Sequence, residues 1–166
     1  QNQQIRTVSP ARVEKITFSA QCARLTVNAG TEFPLDAKLV VIADGAQSVL
    51  RQQLGIATEQ LPYDQHALVA NVEMELSHGG TAYERFTDTG PVALLPLPDH
   101  ESRYRAALVW TLPDSEIEEV MALPEADFLL RVQQRFGCRC GKLRAVGTRY
   151  CYPLALIQAR EQVRSR

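Results

Sequence analysis

Residues 40–51, VVIADGAQSVLR, join four apolar side chains to a carboxylate, a glycine, a hydroxyl and a guanidinium at Asp44, Gly45, Ser48 and Arg51. A carboxylate at the end of a buried strand loses solvation unless donors meet it. Asp44 is therefore either a helix cap or an acceptor for a ligand's hydroxyl groups. Gly45, without a β-carbon, lets the backbone turn sharply and lets a phosphate or ribose come close. Ser48 is placed to cap a helix, and Arg51 can reach back to Asp44 or out to a pyrophosphate. Two chemistries fit these types and spacings. One is a strand-to-helix turn with an Asx-type cap and a surface arginine; the other is the wall of a dinucleotide site.

The remaining reactive residues form no comparable cluster. Cys138 and Cys140 make a Cys-x-Cys pair without a second pair nearby, too few ligands to close a zinc tetrahedron, and with Cys22 and Cys151 they read as reduced, partly buried thiols. His66, His78 and His100 are scattered near turns and strand edges, where lone histidines serve as surface or capping groups, and none is assigned a catalytic role. No metal site and no catalytic triad is expected.

The elements that must position the Asp-Gly turn follow from periodicity. Alternation at Ile16/Phe18 and Leu25/Val27 predicts a two-stranded meander, and the unbroken apolar run Leu39–Ala43 predicts a third strand covered on both faces. Residues 48–54 predict a short helix ending at Gly55, and Leu61-Pro62 marks a lobe boundary near residue 60. Leu68, Ala70, Val72, Met74 and Leu76 fall on one face of a strand whose other face carries Asn71, Glu73 and Glu75. Strands over 82–87, 92–97 and 104–111, with turns at Asp88-Thr89-Gly90 and Pro98-Asp99, extend this into an antiparallel sheet. Ser115 and Glu118 have capping-box spacing ahead of Ile117, Val120 and Met121. Pro124 opens a second helix carrying Phe128, Leu129, Val132 and Phe136, closed by Gly137. Both helices are expected to cover one face of the sheet. Residues 142–157 return to strand, and 158–166 are polar. The fold class is α+β, with 1–60 as the first unit, 61–157 as a sheet-and-helix unit, and 158–166 leading back to the first.

The 166 residues carry 18 basic and 19 acidic side chains and a formal net charge of -1, so no whole-chain field would attract nucleic acid. With 45% hydrophobic residues and no apolar run near the roughly 20 residues that span a bilayer, the expectation is an ordinary globular chain of the cytoplasm.

The apolar strand, Asp-Gly, and Ser and Arg four and seven residues after the Asp together resemble the Asp-Gly motif of the single-component flavoprotein aromatic hydroxylases. PYDQHALVANVEMEL, TAYERFTDTGPVALLPLPD, AALVW and FGCRCGKLRAVGTRYCYPLAL resemble successive segments of the ubiquinone-biosynthesis hydroxylases, nearest to the branch acting on 2-octaprenyl-6-methoxyphenol. The likeness runs from about residue 10 to 158 in one order. The family's Gly-x-Gly-x-x-Gly nucleotide motif and its downstream Gly-Asp segment are both missing from the sequence, so the expectation is an internal fragment.

The resemblance implies an FAD-binding unit plus an antiparallel substrate sheet. It also implies FAD and NAD(P)H as cofactors, and molecular oxygen and a polyprenylated phenol as substrates. Asp44, Gly45, Ser48 and Arg51 would contact the cofactor. Phe86, Leu95, Pro96 and Trp110 would roof the aromatic pocket, with Arg85 turned to solvent. The cofactor carries the hard chemistry and the protein excludes water, so an apolar sheet matters more than an acid/base pair. The fragment alone is expected to bind FAD negligibly, to be inactive and to self-associate through exposed apolar surface. Other ubiquinone-biosynthesis proteins are the expected partners, and a peripheral position at the inner membrane is the expected location. The alternatives are a hydroxylase for a small soluble aromatic, which would need a closed pocket with a cationic anchor, and a non-catalytic quinone- or lipid-binding module.

Overall fold

The computed structural model describes residues 4–164. The chain forms two compact units, Gln1–Gln60 with Ile157–Arg166, and Leu61–Leu156.

The first unit contains β1 (Arg12–Phe18), β2 (Ala23–Asn28) and β3 (Glu32–Ala37) as an antiparallel meander in that order, followed by the short helix α1 (Val49–Gln53). Its core is Ile16, Ala23, Leu25, Val27 and Leu50, with Val40 and Ile42 packed against it. The third strand is thus Glu32–Ala37 and not Leu39–Ala43. Pro34, opposite Thr26, is tolerated because β3 is an edge strand and its missing N–H breaks no second ladder. Residues 38–45 carry no strand ladder: Val40 and Ile42 turn inward, while Leu39 and Val41 are 81% and 79% exposed. The run was expected to be buried on both faces, but here it is buried on one.

The second unit is built on a six-stranded sheet of order β5-β6-β7-β4-β8, with β9 also paired to β4. These strands are β4 (Thr58–Met74), β5 (Tyr83–Thr87), β6 (Gly90–His100), β7 (Arg103–Pro113), β8 (Leu143–Val146) and β9 (Tyr150–Ala159). The register pairs Leu68 with Trp110, Ala70 with Leu108, and Val92 with Trp110, so these side chains share one face. Helices α2 (Asp114–Ala122) and α3 (Glu125–Phe136) cover that face through Ile117, Val120, Phe128 and Val132, as expected.

Three local expectations fail for identifiable reasons. Leu76 lies past the end of β4 and is 53% exposed. The turn expected at Pro98-Asp99 falls instead at Glu101-Ser102, both at positive φ, because β6 runs on to His100. Ser115 does not cap α2: Pro113 is the N-cap, with no side-chain cap bond, and the first helical residue, Asp114, accepts from His66 Nδ1 at 2.9 Å.

Candidate functional site

The Asp-Gly turn lies entirely in the first unit. Gly45 has φ +86°, a backbone state that an L side chain rarely adopts, and a β-carbon built on it would meet nothing within 4 Å. The turn therefore requires glycine for its conformation and leaves open space beside the backbone. Ser48, only 2% exposed, is the N-cap of α1, its Oγ accepting from Arg51 N at 3.1 Å. Arg51 folds back over the turn, its Nη1 donating to the Gly45 carbonyl at 3.3 Å and its Nη2 to the Ala46 carbonyl. One side chain thus caps the helix, and the other ties the helix to the turn.

Asp44 is used for neither purpose. It is exposed and makes no hydrogen bond or ion pair among the described residues, so the reading of it as an Asx-type helix cap does not hold. It lines a cavity of about 870 Å³ together with Val40, Ile42, Gly45, Ser48 and Arg51, within the size range of small-molecule sites. Glu161 and Arg164 also line it and are ion-paired, with Arg164 Nε donating to Glu161 Oε1 at 2.9 Å. That hydrogen bond holds the Glu161 carboxyl below its ordinary range and raises the Arg164 guanidinium. Arg164 also donates to the Leu54 carbonyl at the end of α1. Asp44 is therefore a cavity carboxylate without a protein donor, beside a backbone that a ligand can approach. Such an acceptor suits donating hydroxyl groups such as those of a ribose.

In the second unit, the four residues expected to roof an aromatic pocket do not share a face. Trp110 is fully buried under the helices, its ring centroid 6.3 Å from that of Phe128, and its Nε1 has no hydrogen-bond partner. Pro96 is opposite Ala106 and so lies on that same covered face. Phe86 and Leu95 lie on the other face and are 79% and 42% exposed. Strand alternation separates the two pairs: Phe86 is opposite Pro91, one residue out of step with Val92 and Trp110. Trp110 and Pro96 are thus part of the helix-covered side and do not line a pocket on the open side.

That second face carries Ala67, Val69, Ala93, Ala107 and Val109, all half-buried and none in the helix-covered core. Arg85 is exposed, as expected, on the face opposite Phe86.

The histidines and cysteines take local structural roles. Gly80 N donates to His78 Nδ1, so His78 Nε2 is the protonated nitrogen that donates to the Leu97 carbonyl at 3.1 Å. All four cysteines are free; burial raises the Cys140 and Cys151 thiols above their ordinary value. Among the described residues no group of three His, Cys, Asp or Glu side chains is arranged to hold a metal, and no helix is long and apolar enough to cross a membrane.

No family model matches the chain. Individual relatives do. The chain is 37% identical over 156 residues to the ubiquinone hydroxylase UbiL of Rhodospirillum rubrum, which covers 94% of this chain and 35% of that protein. It is 34% identical over 119 residues to the mitochondrial ubiquinone biosynthesis monooxygenase COQ6 of Homo sapiens, covering 71% of this chain and 24% of that one. The chain therefore spans about a third or less of the length of these curated relatives. Among solved structures, p-nitrophenol 4-monooxygenase PnpA from Pseudomonas putida superposes with a TM-score of 0.60 at 17% identity, covering 93% of this chain and 38% of that one. The resemblance to the ubiquinone-biosynthesis hydroxylases read from the sequence is shown by the first two, and the third shows the α+β fold of a monooxygenase.

Proposed function

We propose that this chain supplies one wall of the cofactor cleft and the substrate sheet of an FAD-dependent monooxygenase that hydroxylates a polyprenylated phenol. NAD(P)H would be the reductant and oxygen the co-substrate. The observation that carries the reading is Asp44, an exposed carboxylate with no protein partner, opening on a cavity of about 870 Å³ at a glycine turn. It sits in a stretch shared with a ubiquinone hydroxylase over 94% of this chain.

Asp44 would accept hydrogen bonds from ribose hydroxyls, and the open side of Gly45 would let the backbone approach the pyrophosphate region. Ser48 and Arg51 would act through the turn they hold, the first by capping α1 and the second by binding the turn carbonyls. When bound, the flavin would supply the redox chemistry that the side chains lack. The open apolar face of the sheet, with Val69, Ala93, Leu95 and Val109, would seat the aromatic ring and keep water from it. A prenylated substrate would bring the protein to a membrane surface, in a peripheral position.

The test uses the longer protein of the relatives' length that contains this chain. Purified and reconstituted with FAD, it should be yellow and should oxidise NAD(P)H when given a prenylphenol. Asp44→Ala should weaken FAD binding about tenfold, the usual cost of losing a hydrogen bond to a charged group. It should leave the unfolding midpoint unchanged, because Asp44 holds nothing in the fold. A wild-type protein that stays colourless after reconstitution would refute the reading.

A further inference from the structure

We infer that Arg105 is the head-group anchor of the open sheet face, donating to the hydroxyl oxygen of an apolar phenol laid along β6 and β7. The inference rests on the reading above that this face receives the aromatic ring.

Arg105 is opposite Leu97 on one side and Glu73 on the other, and strand alternation places it on the same face as Ala107 and Val109. It is half-buried, and its guanidinium makes no hydrogen bond, ion pair or ring contact among the described residues.

The other arginines of this unit behave differently. Arg103, two residues earlier on the same face, binds Glu73 at 3.0 Å and lies 3.9 Å from Glu101, so the nearest carboxylate is already engaged. Arg131, Arg135 and Arg144 each meet a carboxylate, and Arg139 and Arg149 each lie over an aromatic ring. Arg85 also lacks such a partner, but it is exposed on the opposite face. Arg105 is therefore a half-buried cation between Leu97 and Glu73, with five donors and no protein acceptor, placed to donate to the oxygen of a ligand laid along the face. From Arg105 to Val109 the strand offers about 14 Å of open face, with Ala107 and Val109 on it, enough for a ring and the start of its hydrocarbon tail. The matching ligand has one oxygen head and an apolar body.

The test titrates the 166-residue chain with 4-hexylphenol and with hexylbenzene, which differ only by the hydroxyl, using calorimetry. Wild type should prefer the phenol about tenfold, the usual effect of a hydrogen bond to a charged group. Arg105→Met keeps the apolar stem and removes the donors. It should bring the preference close to one while leaving hexylbenzene affinity and the urea midpoint unchanged. Arg105→Lys should retain part of the preference. An undiminished preference in Arg105→Met, or no binding of either probe by wild type, would overturn the assignment. Neither result bears on flavin retention by the longer protein, so this inference can fail while the monooxygenase reading stands, and the reverse.

Discussion

Replacing Arg149 with methionine isolates the contact that fastens the helices to the sheet. The Arg149 guanidinium carbon lies 4.1 Å from the centroid of Phe128, and its Nη1 donates to the Leu123 carbonyl at 2.7 Å and the Met121 carbonyl at 3.2 Å. Those carbonyls close α2, whose last turn contains no basic residue of its own, so Arg149 supplies the missing cation from the segment between β8 and β9. The face-on cation contributes about 0.5–2 kcal/mol, and its charged hydrogen bonds about 1.5–3 kcal/mol. These contributions overlap because one side chain makes them all, so the expected loss is about 2–3 kcal/mol. For a unit of this size that lowers the midpoint of thermal unfolding by roughly 10–20 °C. Urea unfolding of Arg149→Met and Arg149→Lys, followed by circular dichroism, tests it. The lysine variant should recover part of the loss through charge alone. A change below about 0.5 kcal/mol in Arg149→Met, the range of an ordinary surface substitution, would refute the assignment.

Ser48→Ala should destabilise the first unit by about 1 kcal/mol by uncapping α1, seen as a lower urea midpoint, and should leave the second unit's transition in place. Glu75 is held below the ordinary carboxylate range, chiefly by the Lys142 backbone N–H and also by Arg144. Its contribution is therefore present above the unfolded value and is lost as pH falls through the folded one. Wild type should exceed Glu75→Gln in stability near neutrality, and the two should converge in acid; a gap that persists unchanged at low pH would contradict this.

Much of the second unit was legible because its strands are wet on one side. Leu68, Ala70, Val72 and Met74 share one parity, with Asn71 and Glu73 on the other, and are all buried, so parity reveals the face. Where local signals failed, a distant or conformational partner decided the outcome. Nothing near Ser115 reveals that Asp114 will be engaged by His66, 48 residues away. Nothing in Glu101-Ser102 marks the positive φ that turns the β6–β7 hairpin. At the Asp-Gly turn, the residue types were readable but their division of labour was not. Arg51 reaches the turn carbonyls and not Asp44, and only the folded turn reveals that this leaves the carboxylate open. Arg105 was missed although its signal was present: it keeps step with Ala107 and Val109, but which face that step selects depends on the register with β6.

The two sides of the six-stranded sheet follow different packing rules, and the difference supports the proposed function. Beneath the helices the side chains are large and interdigitated: Trp110, Phe128, Leu68 and Leu108 are all fully buried. The opposite side carries Ala67, Ala93 and Ala107 around the directly paired Val69 and Val109, and no helix side chain of the buried cluster reaches it. Small side chains on a twisted sheet cannot generate much burial by themselves, because each contributes little apolar area. They do leave a shallow, flat surface, which suits a planar ring better than an interlocking core. A sheet made only for stability would gain by enlarging these residues. Retaining alanines there while placing an unpaired guanidinium at Arg105 costs stability and makes sense where another molecule supplies the missing contacts. Filling the surface from within, as Ala107→Phe would do, should raise or preserve thermal stability while abolishing binding of both hexyl probes. If Ala107→Phe bound them as wild type does, the open face would not be where an aromatic ligand rests.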